Sequence, residues 1–220
     1  LAGKPLLLWT SEVAKKSIYL DKLAISTDGF EIADVARKNG IEVPFTRPQE
    51  LSDDSASSID VILHALSYYS DIGENYDYLV LLEPTSPLRE VSDIDLPLKQ
   101  LEKNRKIADS IVSVVGVEGS HSTFQVGISD KGLISAKKND YPKHVRRQDL
   151  ATLYVMEGTT YISSVEQLIR KKSFYHNRTL AYEVPKWKAL EIDDIVDLIH
   201  AEASILNKER ISNIHNGTVY

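Results

Sequence analysis

The 220-residue sequence predicts an α/β fold, a Rossmann-like mixed sheet with mainly parallel strands, on three observations. Short apolar runs alternate with helix-spaced stretches as far as Leu82, the pattern of a doubly wound sheet. Tyr78–Leu82 is a continuous apolar run of the kind found in strands buried on both faces. That run stops at Pro84 and Pro87 in a loop carrying Glu83, Thr85, Ser86 and Arg89. Open α/β sheets place ligands beyond the carboxyl ends of their strands, so this loop is the first candidate site. The plainer alternative is an ordinary turn in which the prolines only break structure.

The elements follow in order. Pro5 ahead of LLLWTSEVAKKS reads as a helix with proline in its first turn and lysines near its end. Leu23–Asp28 reads as a short buried strand, and Phe30–Lys38 as a helix closed by Asn39-Gly40. Ile41–Phe45 is the next strand, and Ser55–Tyr69 the next helix, with Ile59, Ile62, Leu63 and Leu66 on one face. Beyond Arg89, Ser92 caps a helix to about Asn104, and Ser110–Val117 is another buried strand. Residues 119–148 alternate short segments with glycines and the basic run Lys137-Lys138, which predicts a β-rich insertion serving as a dimerisation arm; a long solvated loop is the alternative. Tyr161-Ile162 closes a strand, Ser164–Lys171 is a short helix and Thr179–Val184 an edge strand. Asp194–Lys208 is read as a final amphipathic helix burying Ile195, Leu198, Ile199 and Leu206.

Composition narrows the function. The chain is long enough for one full domain, residues 1–220, with the insertion inside it. Lys and Arg total 26 against 32 acidic residues, a net charge of -6, which argues against a nucleic-acid surface and for small partners. Without cysteine there is no disulfide framework, thiolate metal site or cysteine nucleophile. No apolar run approaches membrane-spanning length and no signal-peptide pattern opens the chain, so the expected location is cytoplasmic, with no membrane partner. The six histidines show no metal-protease spacing, His64 reads as structural, and no nucleophile elbow supports a hydrolase.

Two further stretches carry chemistry. Arg47 follows an apolar strand directly and leads into Ser- and Asp-rich residues; those are explained by helix capping, whereas Arg47 is not, unless it forms a surface ion pair. Glu191-Ile192-Asp193 places two carboxylates on one face of an extended segment, suited to a hard divalent cation, although acids ahead of a helix also favour its N-terminus.

LLEPTSPLR resembles the LLQPTSPLR segment of the acylneuraminate cytidylyltransferases, the makers of CMP-sialic acid and related CMP-nonulosonates, and the likeness runs in order along nearly the whole chain. It implies the nucleotide-diphospho-sugar transferase type of sheet and a homodimer. Arg47–Ser58 is similar to the family's RPxELAxDxASS stretch, which implies that Arg47, Ala56 and Ser58 contact the cytidine nucleotide. The E-I-D segment matches a motif ahead of the family's last helix, implying that Asp193, and Glu191 directly or through water, hold Mg²⁺; catalysis would rest on Asp193. Arg146–Ile162 is similar to RRQDLPxxYxxNGAIYI, which lines the sugar side. This implies sugar-binding roles for Glu83, Thr85, Ser86, Arg147, Glu157 and Tyr161, with Arg147 able to pair bidentately with a substrate carboxylate.

The departures are Glu83 for the family's Gln, Glu157 for its Asn, and Thr159-Thr160 for Ala-Ile. Two extra carboxylates facing an anionic sugar repel it unless amines, hydroxyls or Arg147 meet them, so a nonulosonate other than plain N-acetylneuraminate is expected. The family also carries a first strand and a Gly/Lys/Arg loop, ARxGSKGxxxKN, that cradles the triphosphate ahead of the residues matched by LAGKP. The sequence opens at Leu1 without it, so the reading expects either a preceding segment or a defective relative. The expected function is CMP transfer from CTP to a nonulosonic acid. The alternatives are a 3-deoxy-manno-octulosonate-type cytidylyltransferase and a non-catalytic nucleotide-binding relative.

Overall fold

The structure, a computed structural model, describes residues 1–53, 56–117, 121–136 and 146–215. Its main sheet has four strands in the order β1-β5-β2-β6: β1 (Tyr78–Leu81), β2 (Ser110–Val117), β5 (Leu153–Ser164) and β6 (Thr179–Glu183). β5 runs antiparallel to both β1 and β2, and β6 runs parallel to β2. Three of the four strands therefore point the same way, and β5 is the reversed one. The expected strands at 23–28 and 41–45 appear as two parallel bridges, Ala24↔Glu42 and Thr27↔Thr46, rather than as a full ladder.

Side-chain alternation along the strands divides the core into two layers. Tyr78, Val80 and Leu82 from β1 and the segment just beyond it, Ile111 and Ile162 pack with Ala14 of α1 (Leu6–Ala14) and with Ile94, Leu98 and Leu101 of α4 (Ser92–Lys103). Leu79, Leu81, Val112, Val114 and Tyr161 face the other way, onto Ile62 of α3 (Ser58–Asp71) and Leu168 of α5 (Val165–Lys171). Burial on both faces is what a continuous apolar run requires. Ile111 and Ile162 are fully buried, each a gain of about 1.5–3 kcal/mol over exposure. α2 (Phe30–Lys38) has the bounds its spacing predicts.

Three expectations are corrected. Ser92 does not cap α4: it is the first helical residue after Val91, and the Asp93 carboxylate accepts the Glu90 N–H instead, at 2.8 Å. α6 (Ile195–Leu206) is followed by α7 (Lys208–His215), so it is not the last helix. Its expected buried face is largely exposed, at Ile195 (67%), Ile199 (58%) and Leu206 (75%), while Ala201 is fully buried.

Of the 119–148 insertion, residues 119–120 and 137–145, including Lys137-Lys138 and its predicted role, lie outside the described residues. The described part holds an antiparallel hairpin, β3 (Val126–Ile128) with β4 (Ile134–Ala136). No helix among the described residues is long and apolar enough to cross a membrane.

Candidate active site

The site is built where β5 departs from regular pairing. On β2, Val112 pairs with Tyr161 and Val114 with Met156, so Glu157, Gly158, Thr159 and Thr160 all stand opposite Ser113. A bulge of this size leaves backbone groups unpaired, and the Ser113 side chain takes some of them up. Its hydroxyl accepts from Thr160 N at 2.9 Å and lies within donating distance of Glu157 O (2.9 Å) and Thr160 O (3.0 Å). Because Leu81, at the end of β1, pairs with Tyr161, the bulge comes to lie beside the Glu83–Arg89 loop.

Arg89 locks the two together. It is 2% exposed, and its guanidinium donates to the carbonyls of Thr159, Gly158 (3.0 Å) and Glu83 (3.0 Å) and to Thr10 Oγ1 (2.9 Å). Burial pulls its pKa down to about 10 while Glu157, Asp93 and Glu83 oppose that, so it stays charged at neutral pH.

The third component is the segment after β6. Lys188, 6% exposed, is held by Asp93 (2.9 Å) and Glu90 (2.6 Å). Burial works against its charge, but these carboxylates outweigh burial and hold its pKa above the usual lysine range. From that anchor Ile192 N donates to Thr85 O at 2.9 Å, and Glu191 Oε1 accepts the Gly158 N–H. Helix capping is done by Asp194, which accepts from Val196 N and Asp197 N at 2.7 and 3.0 Å. Glu191 and Asp193 are therefore not needed as caps.

Oxygen atoms converge at Gly158. A Cβ there would sit 2.7 Å from Glu83 Oε2, 2.7 Å from Ser86 Oγ and 2.8 Å from Glu191 Oε1. Burial, then the Glu191 carboxylate, raises the Glu83 pKa, with Glu157 and Asp193 adding to it and Arg89 opposing. Burial likewise raises Glu157, against the Ser113 hydroxyl and the hydrogen bonds it accepts from Thr159 N (3.1 Å) and Oγ1 (2.6 Å). Tyr161, half-buried, stands well above the usual phenol range because of burial and then Glu83.

Glu83, Thr85, Ser86, Glu157, Tyr161 and Glu191 are thus brought together, and Asp193 acts on the group through its charge. Among the described residues Arg47 forms no ion pair, the alternative to a functional role: its guanidinium donates to the Ser26 carbonyl and, at 3.2 Å, to Ser26 Oγ. Ala56 is half-buried ahead of α3, and Ser58 is the exposed first residue of that helix, whose cap is Ser57. No hydrogen bond among the described residues ties Arg47, Ala56 or Ser58 to the carboxylates. Arg147 heads a single 3₁₀ turn, Arg147–Asp149, and its side chain lies outside the described residues.

The sequence reading placed Arg89 in the candidate loop without giving it a role, and missed Lys188, Ser113 and Gly158 as parts of this site.

A hard cation fits the donor set, since Glu191 and Asp193 offer only carboxylate oxygens and the raised Glu83 pKa marks negative charge that a cation would relieve. Among the described residues no three His, Asp or Glu side chains are grouped to share one ion, so other ligands must complete the shell. An open hollow of about 550 Å³ at the α6–α7 junction, lined by Leu206 and Lys208 among others, includes none of these site residues.

Solved structures share the fold. The fold matches the CMP:2-keto-3-deoxy-manno-octonic acid synthetase complexed with CTP with a TM-score of 0.64 at 14% identity, over 94% of this chain and 89% of that one. It also matches 4-diphosphocytidyl-2C-methyl-D-erythritol synthase of Anaerococcus prevotii with a TM-score of 0.59 at 13% identity, over 93% and 90% of the two chains. These likenesses show the fold that the chain shares with the two synthases.

Residues 1–212 match the cytidylyltransferase family, and the chain belongs to it. The N-acylneuraminate cytidylyltransferase of Streptococcus agalactiae is 34% identical over 100% of this chain and 52% of its own length, and that of Escherichia coli is 32% identical over 98% and 51%. The CMP-N,N'-diacetyllegionaminic acid synthase of Legionella pneumophila is 30% identical over 81% of this chain and 75% of its own. The chain spans about half the length of the first two relatives.

Proposed function

We propose that the protein transfers CMP from CTP to the anomeric hydroxyl of a nonulosonic, sialic-type acid. The anomeric oxygen bonds to the α-phosphorus, the bond from that phosphorus to the bridging oxygen breaks, and pyrophosphate leaves. The observation that carries this reading is the convergence of Glu83, Ser86 and Glu191 oxygens at Gly158, at the carboxyl edge of the sheet, in a chain of the cytidylyltransferase family. The relatives that match along 81–100% of this chain act, by their names, on acylneuraminate and legionaminate, which favours a nonulosonate over an octulosonate.

In this reading Arg47, Ala56 and Ser58 hold the nucleotide, and Glu83, Thr85, Ser86, Arg147, Glu157 and Tyr161 face the sugar. Glu191 and Asp193 hold magnesium, with phosphate oxygens and water filling its remaining positions. Bound there, the metal neutralises and orients the phosphate groups. The protein's own share is positioning: Arg89 and the Lys188 anchor fix the carboxylates before substrate arrives. The working unit is a cytoplasmic homodimer, supported by the apolar side chains that the β3–β4 hairpin and the start of β5 leave exposed.

The test is pyrophosphate release by the complete native polypeptide with CTP and Mg²⁺ against a panel of nonulosonic acids. Release with one sugar, abolished by Asp193→Ala and by chelation, is the expected result. No release with any sugar while CTP still binds would leave a nucleotide-binding relative instead.

A further inference from the structure

The sugar side of the site holds more negative charge than the proposed reaction uses. Glu83, Glu157, Glu191 and Asp193 all act on one another or on Glu83, and the guanidinium beside them has its donors turned to Thr10 and to the carbonyls of Glu83, Gly158 and Thr159. A magnesium ion at Glu191 and Asp193 would serve the triphosphate. Glu83 and Glu157 would remain, facing a substrate that brings a carboxylate of its own.

A second observation is independent of charge. Ser86 is 1% exposed and its hydroxyl has no hydrogen-bond partner among the described residues, yet the oxygen lies 2.7 Å from the Cβ position of Gly158 where Glu83 Oε2 and Glu191 Oε1 also converge. Glu157, 5% exposed, has one carboxylate oxygen bonded to Thr159, and the other, Oε1, makes no hydrogen bond among the described residues. Buried polar atoms left open in this way call for a partner: Glu157 Oε1 can only accept while ionised, and the Ser86 hydroxyl can accept as well as donate.

We propose that Glu83, Ser86 and Glu157 form a recognition subsite for a cationic nitrogen on the sugar acid, a protonated amine or an amidine; this rests on the cytidylyl-transfer reading above. A sugar hydroxyl brings one donor and no charge. A cationic nitrogen brings several donors and the positive charge that lets an anionic sugar sit against two carboxylates. The Gln and Asn of the acylneuraminate pattern at these two positions are neutral and lack that preference.

The deciding probes are two nonulosonic acids that differ at a single nitrogen, acetamidino in one and acetamido in the other, because these groups share a shape and differ in charge. With the complete native polypeptide, CTP and Mg²⁺, the expected result is a kcat/KM at least about tenfold higher for the amidine. Glu83→Gln should lose that preference while keeping measurable turnover of the acetamido sugar, and Glu157→Gln should weaken it, each with a thermal melt showing a folded protein. If one variant fails to fold, the other and the wild-type ratio decide. Equal or better use of the acetamido sugar by the wild type would overturn the subsite and leave cytidylyl transfer standing. No turnover of either sugar, with CTP still bound, would overturn the transfer reading and the subsite with it.

Discussion

One strand, β5, lives in two environments. Its first four residues, Leu153, Tyr154, Val155 and Met156, are 37–52% exposed although every one is apolar, whereas Glu157–Thr160, polar or without a side chain, are buried. The inversion is set by the bulge opposite Ser113. On the inner side β5 is flanked by β1 and β2 and covered by helices, so its polar atoms must find partners in the protein, and they find Ser113, Arg89 and one another. On the outer side β5 extends past the end of β1 and keeps only β2 beside it. Burial therefore follows which neighbours the strand has, not which residues it carries. In the proposed function the buried polar half carries the chemistry, and the exposed apolar half is the surface offered to a second copy.

The most direct way to break the inner half is Gly158→Ala. The new methyl would lie under 3.0 Å from three side-chain oxygens, all at the ends of side chains that can swing away, so the fold should survive while Glu83, Ser86 and Glu191 are displaced. A shift of that size at a preorganised site is expected to lower kcat by about 10²-fold or more, measured by pyrophosphate release, with an unchanged circular dichroism spectrum. Near-normal turnover would mean that these oxygens do not need their present positions.

Ser113→Ala acts one step back. It leaves Thr160 N without its acceptor inside the core, a loss of about 1–3 kcal/mol in denaturant unfolding, and it frees the bulge to relax, so turnover should fall as well. A stable variant with full turnover would show that the bulge holds without its serine.

These cases also show what sequence could reveal. Tyr78–Leu81, Ser110–Val117 and Phe30–Lys38 were legible because local spacing alone decides them. The bulge was not legible: Ser113, Thr159 and Thr160 break the apolar alternation, and nothing local says that a hydroxyl on one strand will serve carbonyls on the next. The candidates at Glu83, Ser86 and Glu191 were legible as residue types, yet their meeting point at Gly158 depends on strand order, which spacing does not encode. Ile195 and Ile199 mislead for the same reason, since helical spacing identifies a face but not what covers it.

For the outer half the sharpening experiment is Val155→Asp. If a second copy covers Leu153–Met156 and the hairpin residues Ile128 and Ile134, a carboxylate at this 52%-exposed position should raise the dimer dissociation constant by at least about tenfold in sedimentation equilibrium. The isolated fold should be unaffected, because no core contact is lost. A wild type that sediments as a monomer at all concentrations would remove the homodimer.

The smallest expected effect lies at the far end of the inner half, where Asp109 fastens β5. Its carbonyl accepts Ser164 N at 2.9 Å, and its carboxylate is held by Arg178 at 2.7 and 3.0 Å, which keeps its pKa below the usual value. A depressed carboxylate pKa adds stability that is fully present above the unfolded value, about 3.9, and disappears as pH falls through the lower folded value. Arg178→Ala should therefore be less stable than wild type at neutral pH, and the gap should narrow below about pH 4 to the part owed to the Arg178 bonds with Lys106 O. Urea unfolding of both proteins across that range measures it. A gap that stays constant with pH would mean that Arg178 holds this corner through geometry rather than charge, and that Asp109 fastens β5 through its backbone alone.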